Sequence, residues 1–295
     1  MRLKNRLEYV QNSLPYKIWQ FLSSIRKAIL SKRFKTQNVA NTKWPQNLPL
    51  ISVIIPCFNY GGYITETIAS IRNQTFQRFE IIVIDDGSTD PATLNILHEL
   101  KDVNIIHQSN CGLPAARNRG IMSAKGKYVC CLDADDLLEP TYFEKCLLQL
   151  ESKNLDICYS YFEQFGESQV KCTRPNFFLT SLIFSNCAIV PAIYKKSLWE
   201  RVHGYDEIMR DGYEDWEFYI RCAKNGAVGG VIPEYLFKYR VHSDSMLFQS
   251  KKRHLEILEY IHKKHADLFG NLQKQIELEN NQKIKYIVSD PLINL

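Results

Sequence analysis

The sequence predicts an α/β protein with a mostly parallel central sheet, on the strength of three observations. Short apolar strands alternate with amphipathic helices between about residues 50 and 140. This alternation is typical of parallel sheets whose connecting helices cover both faces. Polar clusters, "CFN", "DDGSTD" and "DADD", follow three of the strands. Because ligands bind at the carboxyl ends of strands in such sheets, the clusters indicate a binding site there.

The first half of this region contains four predicted strands and three predicted helices. Ile64, Ile68 and Ile71 have the spacing of one helix face. Asp90 suits a helix N-cap, with Pro91 at the first helical position. The strands are 51–55, 80–84, 103–107 and 128–132, and the helices are 63–74, 91–101 and 113–124.

The alternation becomes less regular after residue 140, although the α/β layer continues. An irregular, aromatic-rich section extends to about residue 213, and the tail 246–295 is polar. The predicted elements are helix 140–153, strand 155–163, helix 214–225, an extended segment 231–242 and an amphipathic helix around 254–268.

A basic arm precedes the α/β region. Residues 1–43 carry ten Lys and Arg against one acid, a net charge of +9 that leaves −4 for the rest of the chain. Within it, residues 17–35 predict a basic amphipathic helix, and 36–49 have the composition of a linker. Attachment to an anionic membrane surface and packing against the body or a partner are about equally supported.

Composition favours a soluble globular protein in a reducing compartment. Of 295 residues, 45% are hydrophobic and 23% charged, and the nine Cys include no CxxC pair. The N-terminus lacks the apolar core of a signal peptide, and the long uncharged run 175–194 is interrupted by polar residues and Pro. We therefore expect a cytoplasmic protein, with peripheral contact at the inner face of the cell membrane if the arm binds lipid.

Three carboxylates follow the buried strand 128–132, at Asp133, Asp135 and Asp136. Like charges this close repel, and a divalent metal relieves the repulsion because Mg²⁺ and Mn²⁺ prefer carboxylate oxygens. The alternative for an isolated Asp-x-Asp is a solvated turn, but the two neighbouring polar strand ends favour a functional site. Neither GxGxxG nor GxxxxGK[ST] occurs, which disfavours a dinucleotide enzyme and a P-loop NTPase.

Side chains at the other two strand ends suit a nucleotide base. Phe58 could stack on the base, and Asn59 and Asp86 could form hydrogen bonds with it. Each also has a structural alternative, with Phe58 in the core and with Asp85 and Asp86 as turn acids ahead of Gly87.

Six segments extend the argument beyond single motifs: "SVIIPCFN", "SIRNQTFQRFEIIVIDDGSTD", "GLPAARNRGI", "YVCCLDADD", "GYEDWEFYIR" and "YRVH". Their order over roughly residues 50–245 resembles family 2 glycosyltransferases, which have a GT-A type fold. The resemblance implies a nucleotide-sugar donor, usually a UDP-sugar, a divalent Mn²⁺ or Mg²⁺, and inversion at the anomeric carbon.

The resemblance also implies roles at the donor. Pro56, Phe58 and Asn59 are similar to the first base-binding strand end of the family, and Asp86 to the carboxylate that binds the uracil edge. Arg117 matches a basic residue near ribose and phosphates.

For the reaction centre, the resemblance implies that Asp135 is a metal ligand and that Asp133 lies near ribose and metal. Asp215 matches the general base, and His242 a further metal or diphosphate contact, with an ordinary loop histidine as the alternative. Asp136 is expected to serve the turn into helix 140–153.

The segment "DGYED" has a structural interpretation as well. Asp211 and Glu214 have the spacing of a capping box, which would explain Glu214 without any catalytic role. The capping box does not explain Asp215. For this residue the motif favours the role of general base over that of an acid that complements the helix dipole.

The leading hypothesis is a metal-dependent inverting glycosyltransferase of hexosyltransferase type, acting on a glycan or lipid-linked acceptor in surface polysaccharide synthesis. A nucleotidyltransferase is disfavoured because the loop "PCFNYGGY" has no basic residue. A non-catalytic nucleotide-sugar-binding protein is the third hypothesis, and no nucleic-acid partner is expected. The predicted organisation is an arm and linker 1–48, a catalytic domain 49–245 divided at residue 140, and a helical tail 246–295.

Overall fold

A computed structural model of the protein describes residues 44–242, 246, 250 and 252–269. The predicted arm helix 17–35 and the end of the predicted tail lie outside the described residues. No helix of the described part has the length and apolar character needed to cross a membrane.

The first half of the fold is a parallel sheet with three connecting helices. Its elements are β1 (Ile51–Cys57), α1 (Gly61–Arg72), β2 (Phe79–Asp85), α2 (Pro91–Glu99), β3 (Asn104–His107), α3 (Leu113–Ser123) and β4 (Tyr128–Cys131). The strand order is β3-β2-β1-β4, with all three pairs parallel. All seven residues of β1 are buried, as expected for a central strand with both faces covered. The carboxyl ends of β1, β2 and β4 consequently meet at one edge.

The second half continues the same sheet with a mixture of directions. Its elements are β5 (Leu137–Leu138), α4 (Tyr142–Ser152), β6 (Ile157–Gly166), β7 (Lys171–Cys172), α5 (Leu179–Phe184), β8 (Ile193–Lys195), α6 (Lys196–Arg201), α7 (Glu214–Lys224), β9 (Gly229–Val241), α8 (His254–Lys264) and α9 (Ala266–Phe269). Strand β8 is antiparallel to both β4 and β6, whereas the long pair β6–β9 is parallel. Among the described residues, these strands complete a nine-stranded α/β sheet.

The predicted helix start at Asp90 is confirmed. The Asp90 side chain accepts hydrogen bonds from the backbone N–H groups of Ala92 and Thr93, and Pro91 occupies the first turn. Helix α3 packs so closely on β1 that a Cβ on Gly120 would lie 2.4 Å from Cγ2 of Ile54. These contacts fix α3, and with it Arg117, against the centre of the sheet.

The capping box predicted for "DGYED" is wrong. Tyr213, in the left-handed conformation with φ 61°, is the N-cap of α7, and its side chain forms no capping hydrogen bond. The Asp211 carboxylate instead pairs with Arg253, and Glu214 points into the protein. The capping spacing was fortuitous, because Glu214 has a buried cation to bind.

Candidate active site

A cavity of about 340 Å³ opens at the carboxyl ends of β1, β2 and β4. Strand ends and the first turn of α3 form most of its wall, with Arg210, Tyr239 and Met246 closing the other side. Five predicted site residues line it: Pro56, Phe58, Asp86, Asp133 and Asp135. The predicted convergence of three strand ends is therefore present in the structure.

Arg117 lies behind this wall and links two acids. Its side chain is 1% exposed, its Nη2 donates to Oδ1 of Asp133 at 2.7 Å, and its Nη1 pairs with Oε1 of Glu214. Burial disfavours the charged guanidinium, but Asp133 and Glu214 outweigh it and raise the pKa of Arg117. Since both guanidinium amines are engaged by carboxylates, Arg117 positions the two acids, and its predicted place near ribose and phosphates stays a prediction.

Asp135 is held by His242 at the edge of the cavity. The His242 Nε2 lies 2.9 Å from Oδ2 of Asp135, and the imidazole packs against the rings of Tyr60 and Tyr63. Burial, followed by the nearby charge of Asp133, raises the pKa of Asp135, while the hydrogen bond from His242 opposes the shift. A cation at this edge would favour the ionised form of Asp135 and so oppose the rise in its pKa.

Asp136 does not serve the turn into α4, contrary to the sequence prediction. Its Oδ1 accepts the backbone N–H of Arg240 at 2.8 Å, and the Arg240 Nε donates to the Asp135 carbonyl oxygen at 2.7 Å. The Arg240 guanidinium also lies over the rings of Tyr63 and Phe165. Strand β9 thus clamps the acidic loop, because one arginine binds it through both backbone and side chain.

The oxygen atoms available as metal ligands partly fit the divalent metal that the family resemblance implies. Asp133 and Asp135 offer hard oxygen ligands beside the cavity, and Mg²⁺ commonly takes its other ligands from water and phosphate. Over residues 44–242 and the described tail positions, no three His, Cys, Asp or Glu side chains form a complete metal site. His242 is already hydrogen-bonded to Asp135, which suits a residue that orients a ligand.

Asp215 lies in the first turn of α7, directly after Glu214, and outside the wall of the cavity. Its Oδ2 accepts from Nδ2 of Asn186 at 2.8 Å, and its Oδ1 accepts the N–H of Trp216 at 2.7 Å. Burial raises the pKa of Asp215, although Arg117 and Asn186 oppose the shift. A carboxylate with a raised pKa is a stronger base, as proton abstraction from a hydroxyl requires.

The two base-binding candidates on the loop after β1 behave differently. Phe58 is 42% exposed and lines the cavity, so the alternative that it belongs to the core is wrong. Asn59 has φ 59°, and its Oδ1 accepts from the backbone N–H groups of Thr89 and Asp90. Its Nδ2 donates to Oγ1 of Thr89, so the Asn59 amide braces the loop, while the second N–H of Nδ2 lies outside these bonds and the predicted base contact stays a prediction.

Asp86 organises the opposite wall. One oxygen accepts from Nε2 of Gln108 and the N–H of Cys111, and the other accepts the N–H of Gly112. Gly112, with φ 91°, provides the left-handed turn that starts α3. Asp86 still borders the cavity with one lone pair on Oδ2 outside these three bonds, so its predicted contact with a base remains a prediction.

Sequence reasoning missed Glu214, Arg240 and Asn186 as site residues. Glu214 and Arg240 lie within the segments "GYEDWEFYIR" and "YRVH", so their motifs were recognised but not their contacts. Asn186 gave no signal, because its contact with Asp215 spans 29 positions.

Comparison with known proteins identifies a family that the chain resembles. The profile described as Glycosyl transferase family 2 matches residues 52–222. A Haemophilus influenzae protein described as an uncharacterized glycosyltransferase is 33% identical over 68% of this chain and 68% of its own length. A Rickettsia felis protein with the same description is 31% identical over 75% of this chain. The match covers only 38% of the length of that relative.

Solved structures share the fold. The crystal structure of Staphylococcus aureus TarS 1–349 in complex with UDP-GlcNAc superposes with a TM-score of 0.58 and 20% identity, covering 67% of this chain and 60% of that one. The α/β architecture is therefore of the GT-A type. The match to the family profile shows that the protein is a glycosyltransferase. The chain belongs to glycosyltransferase family 2.

Proposed function

We propose that the protein transfers a sugar from a nucleotide-sugar, a UDP-sugar in the first instance, to a hydroxyl of a glycan or lipid-linked acceptor. The proposal rests on one observation: two carboxylates lie at the edge of the cavity, and a third, with a raised pKa, lies outside its lining. Asp133 and Asp135 border the cavity, while Asp215 is outside its lining and follows Glu214, the second partner of Arg117. An inverting transfer needs such a separation, because the leaving group departs opposite to the attacking hydroxyl.

Residues at two places on the cavity wall support the binding of a nucleotide-sugar, one for its base and one for its diphosphate. Phe58 provides an exposed ring on which a base can stack, and Asp86 offers a carboxylate edge nearby. Asp133 and Asp135 would hold a divalent cation, which would neutralise the diphosphate as it leaves. Arg117 and His242 keep those two carboxylates in place, at 2.7 and 2.9 Å respectively.

Asp215 would act on the acceptor. The acceptor oxygen attacks the anomeric carbon, its proton passes to the Asp215 carboxylate, and the bond from the anomeric carbon to the diphosphate oxygen breaks. Asn186 and the Trp216 N–H each occupy one oxygen of Asp215 from one direction. Each oxygen retains a lone pair, so the carboxylate is oriented without being blocked.

The discriminating experiment is a screen of nucleotide-sugars for donor hydrolysis, with Mn²⁺ or Mg²⁺ and with and without chelator. We expect hydrolysis of at least one UDP-sugar that is lost on chelation and restored by metal. Hydrolysis that persists after chelation would contradict the metal assignment alone. Absence of both UDP binding and hydrolysis across the screen would contradict the donor assignment.

Surface polysaccharide synthesis and membrane contact through residues 17–35 belong to this proposal as well. The support is the basic amphipathic pattern of that segment and the presence of lipid-linked acceptors at membranes. Co-sedimentation of the full chain with vesicles of anionic and of neutral lipid tests the membrane contact. Equal binding to both, or to neither, would contradict it.

A further inference from the structure

The surroundings of Asp215 contain a cation that the donor cavity does not account for. Arg174 follows β7, and its Nη1 lies 3.4 Å from the carbonyl oxygen of Asn186, the residue whose side chain holds Asp215. We infer that Arg174 and Asn186 form a binding site for an anionic group, a phosphate or a carboxylate, on the acceptor. The inference rests on the proposed function, since it places this site beside the proposed base.

Arg174 is held rigidly but is poorly neutralised. Its guanidinium lies over the ring of Phe162, with 4.6 Å from Cζ to the ring centre. Its Nε is buried and has no hydrogen-bond partner among the described residues. Burying a cation without a full set of partners is costly, and burial accordingly lowers the pKa of Arg174, with Cys172, Cys187 and then Asp215 only partly opposing this.

Asn186 presents a second unsatisfied atom at the same place. Its Nδ2 is used by Asp215 at 2.8 Å, whereas its Oδ1 is buried without a partner in the described part of the chain. An amide oxygen beside a general base suits a sugar hydroxyl, which donates to Oδ1 through one hydroxyl while a neighbouring one faces Asp215. Arg174 Nε and Asn186 Oδ1 therefore both lack a partner in the described part of the chain, and Asn186 directly contacts the proposed base.

The two unsatisfied atoms define the chemistry of the ligand. A guanidinium whose Nε–H has no partner can bind phosphate or carboxylate through two parallel hydrogen bonds. An anionic partner offsets the cost of burying the guanidinium better than a neutral hydroxyl does. Arg174 does not line the donor cavity, although Phe162 contacts Tyr239, which does. The anion that Arg174 binds is therefore assigned to the acceptor and not to the donor diphosphate.

The experiment separates the acceptor anion from the donor. Protein labelled with ¹⁵N-arginine is saturated with UDP and Mg²⁺, and the Arg174 Nε–H signal is assigned by its loss in R174Q. Methyl phosphate, glucuronate and methyl glucoside are then titrated as probes. We expect saturable shifts of the Arg174 signal with one or both anions and none with the neutral glycoside. Methyl phosphate and glucuronate distinguish a phosphate-bearing acceptor from an acidic sugar.

Two variants complete the test. R174Q should weaken binding of the effective anion about tenfold or more, the loss typical of a charge-assisted hydrogen bond, with UDP affinity unchanged. R119Q removes the same charge from an exposed position of α3 and should leave both unchanged. Shifts without saturation, or equal responses to the neutral glycoside, overturn the inference. A loss of UDP affinity in R174Q also overturns it, because Arg174 would then serve the donor. Failure of the wild-type protein to bind UDP would instead mark failure of the proposed function.

Discussion

The imidazole of His242 holds the carboxylate of Asp135, with 2.9 Å between Nε2 and Oδ2, across 107 positions of the chain. This hydrogen bond joins the end of β9 to the acidic loop after β4. It fixes the orientation of the carboxylate that is proposed to bind metal, so His242 would act on such a metal through Asp135.

The first prediction concerns this pair. We expect H242A to weaken Mn²⁺ binding about 10–100-fold, the usual loss when a residue that orients a metal ligand is removed. Electron paramagnetic resonance titration of Mn²⁺ in the presence of UDP measures the effect. H242Q retains a donor and should recover part of the affinity, and H262A changes an exposed histidine of α8 as a control. Unchanged Mn²⁺ affinity in H242A would remove His242 from the metal site.

The second prediction concerns Asp215. D215N keeps the shape of the side chain but removes the basic oxygen, so we expect UDP binding to persist while transfer falls at least about 100-fold, as on loss of a general base. Calorimetric titration with UDP and a product assay with the donor found by the screen provide the two readouts. D211N changes an exposed acid of the same loop and should retain transfer. Normal transfer by D215N would rule out Asp215 as the base.

The third prediction concerns Arg117. R117M leaves Asp133 and Glu214 without their shared cation, and removing one partner of a buried ion pair typically costs about 3–5 kcal/mol. Urea unfolding of R117M and of the exposed-site control R119M compares the two losses. A cost in R117M below about 1 kcal/mol, the usual range for exposed pairs, would show that the buried contacts add no net stability.

The fourth prediction is a pH dependence at Glu217, on the same helix as Asp215. The Glu217 side chain is 0% exposed, and it faces Arg221 on its own helix and Lys264 and His265 from the C-terminal helices. Burial acts to raise the pKa of Glu217, but the hydrogen bonds from His265 and Arg221 prevail and lower it to about 2. The ionised form is thus favoured in the folded state.

A depressed carboxyl pKa stabilises the fold above the unfolded pKa, and this contribution is lost as pH falls towards the folded pKa. For Glu217 the fall from the ordinary 4.5 to about 2 corresponds to about 3 kcal/mol at neutral pH. We expect E217Q to lower the free energy of unfolding at pH 7 by about that amount, with the difference from wild type shrinking as the pH is lowered from about 5 towards 2. Urea unfolding across this range tests it, with the exposed E256Q as control. A difference that does not vary with pH would contradict the ion-pair explanation.

The fifth prediction compares two glycines. A Cβ at Gly120 would lie 2.4 Å from Cγ2 of Ile54, whereas a Cβ at Gly62 would have nothing within 4 Å. We expect G120A to cost about 1–3 kcal/mol through overpacking. G62A, in the first turn of α1, should be neutral or gain up to about 1 kcal/mol from helix propensity. Thermal unfolding of both variants provides the comparison, and equal effects would contradict the close approach of α3 to β1.

The sequence predicted most elements because hydrophobic periodicity and turn residues are local. Strand β2 was predicted at 80–84 and extends over Phe79–Asp85, and α7 was predicted at 214–225 and ends at Lys224. The insertion of β8 between β4 and β6 was not predicted, because antiparallel pairing of a three-residue strand leaves no local pattern.

The candidate site divides in the same way. Residues next to the strand ends, such as Asp133 and Phe58, were placed at the cavity correctly because topology determines where strand ends meet. The protein contacts of Asn59 and Arg117 were not predicted, since each depends on partners distant in sequence. Whether a polar side chain faces a ligand or another part of the protein is decided by such long-range contacts.

The Arg117–Glu214 pair has a consequence for exchanging parts between relatives. Arg117 belongs to the half of the fold that surrounds the donor cavity, and Glu214 immediately precedes the proposed base, 97 positions later. A chimera that took its second half from a relative without a matching acid would leave the buried Arg117 guanidinium paired with Asp133 and without its second acid. The two halves of this fold are therefore not independent modules, and recombining them requires both ends of this one ion pair to be transferred together.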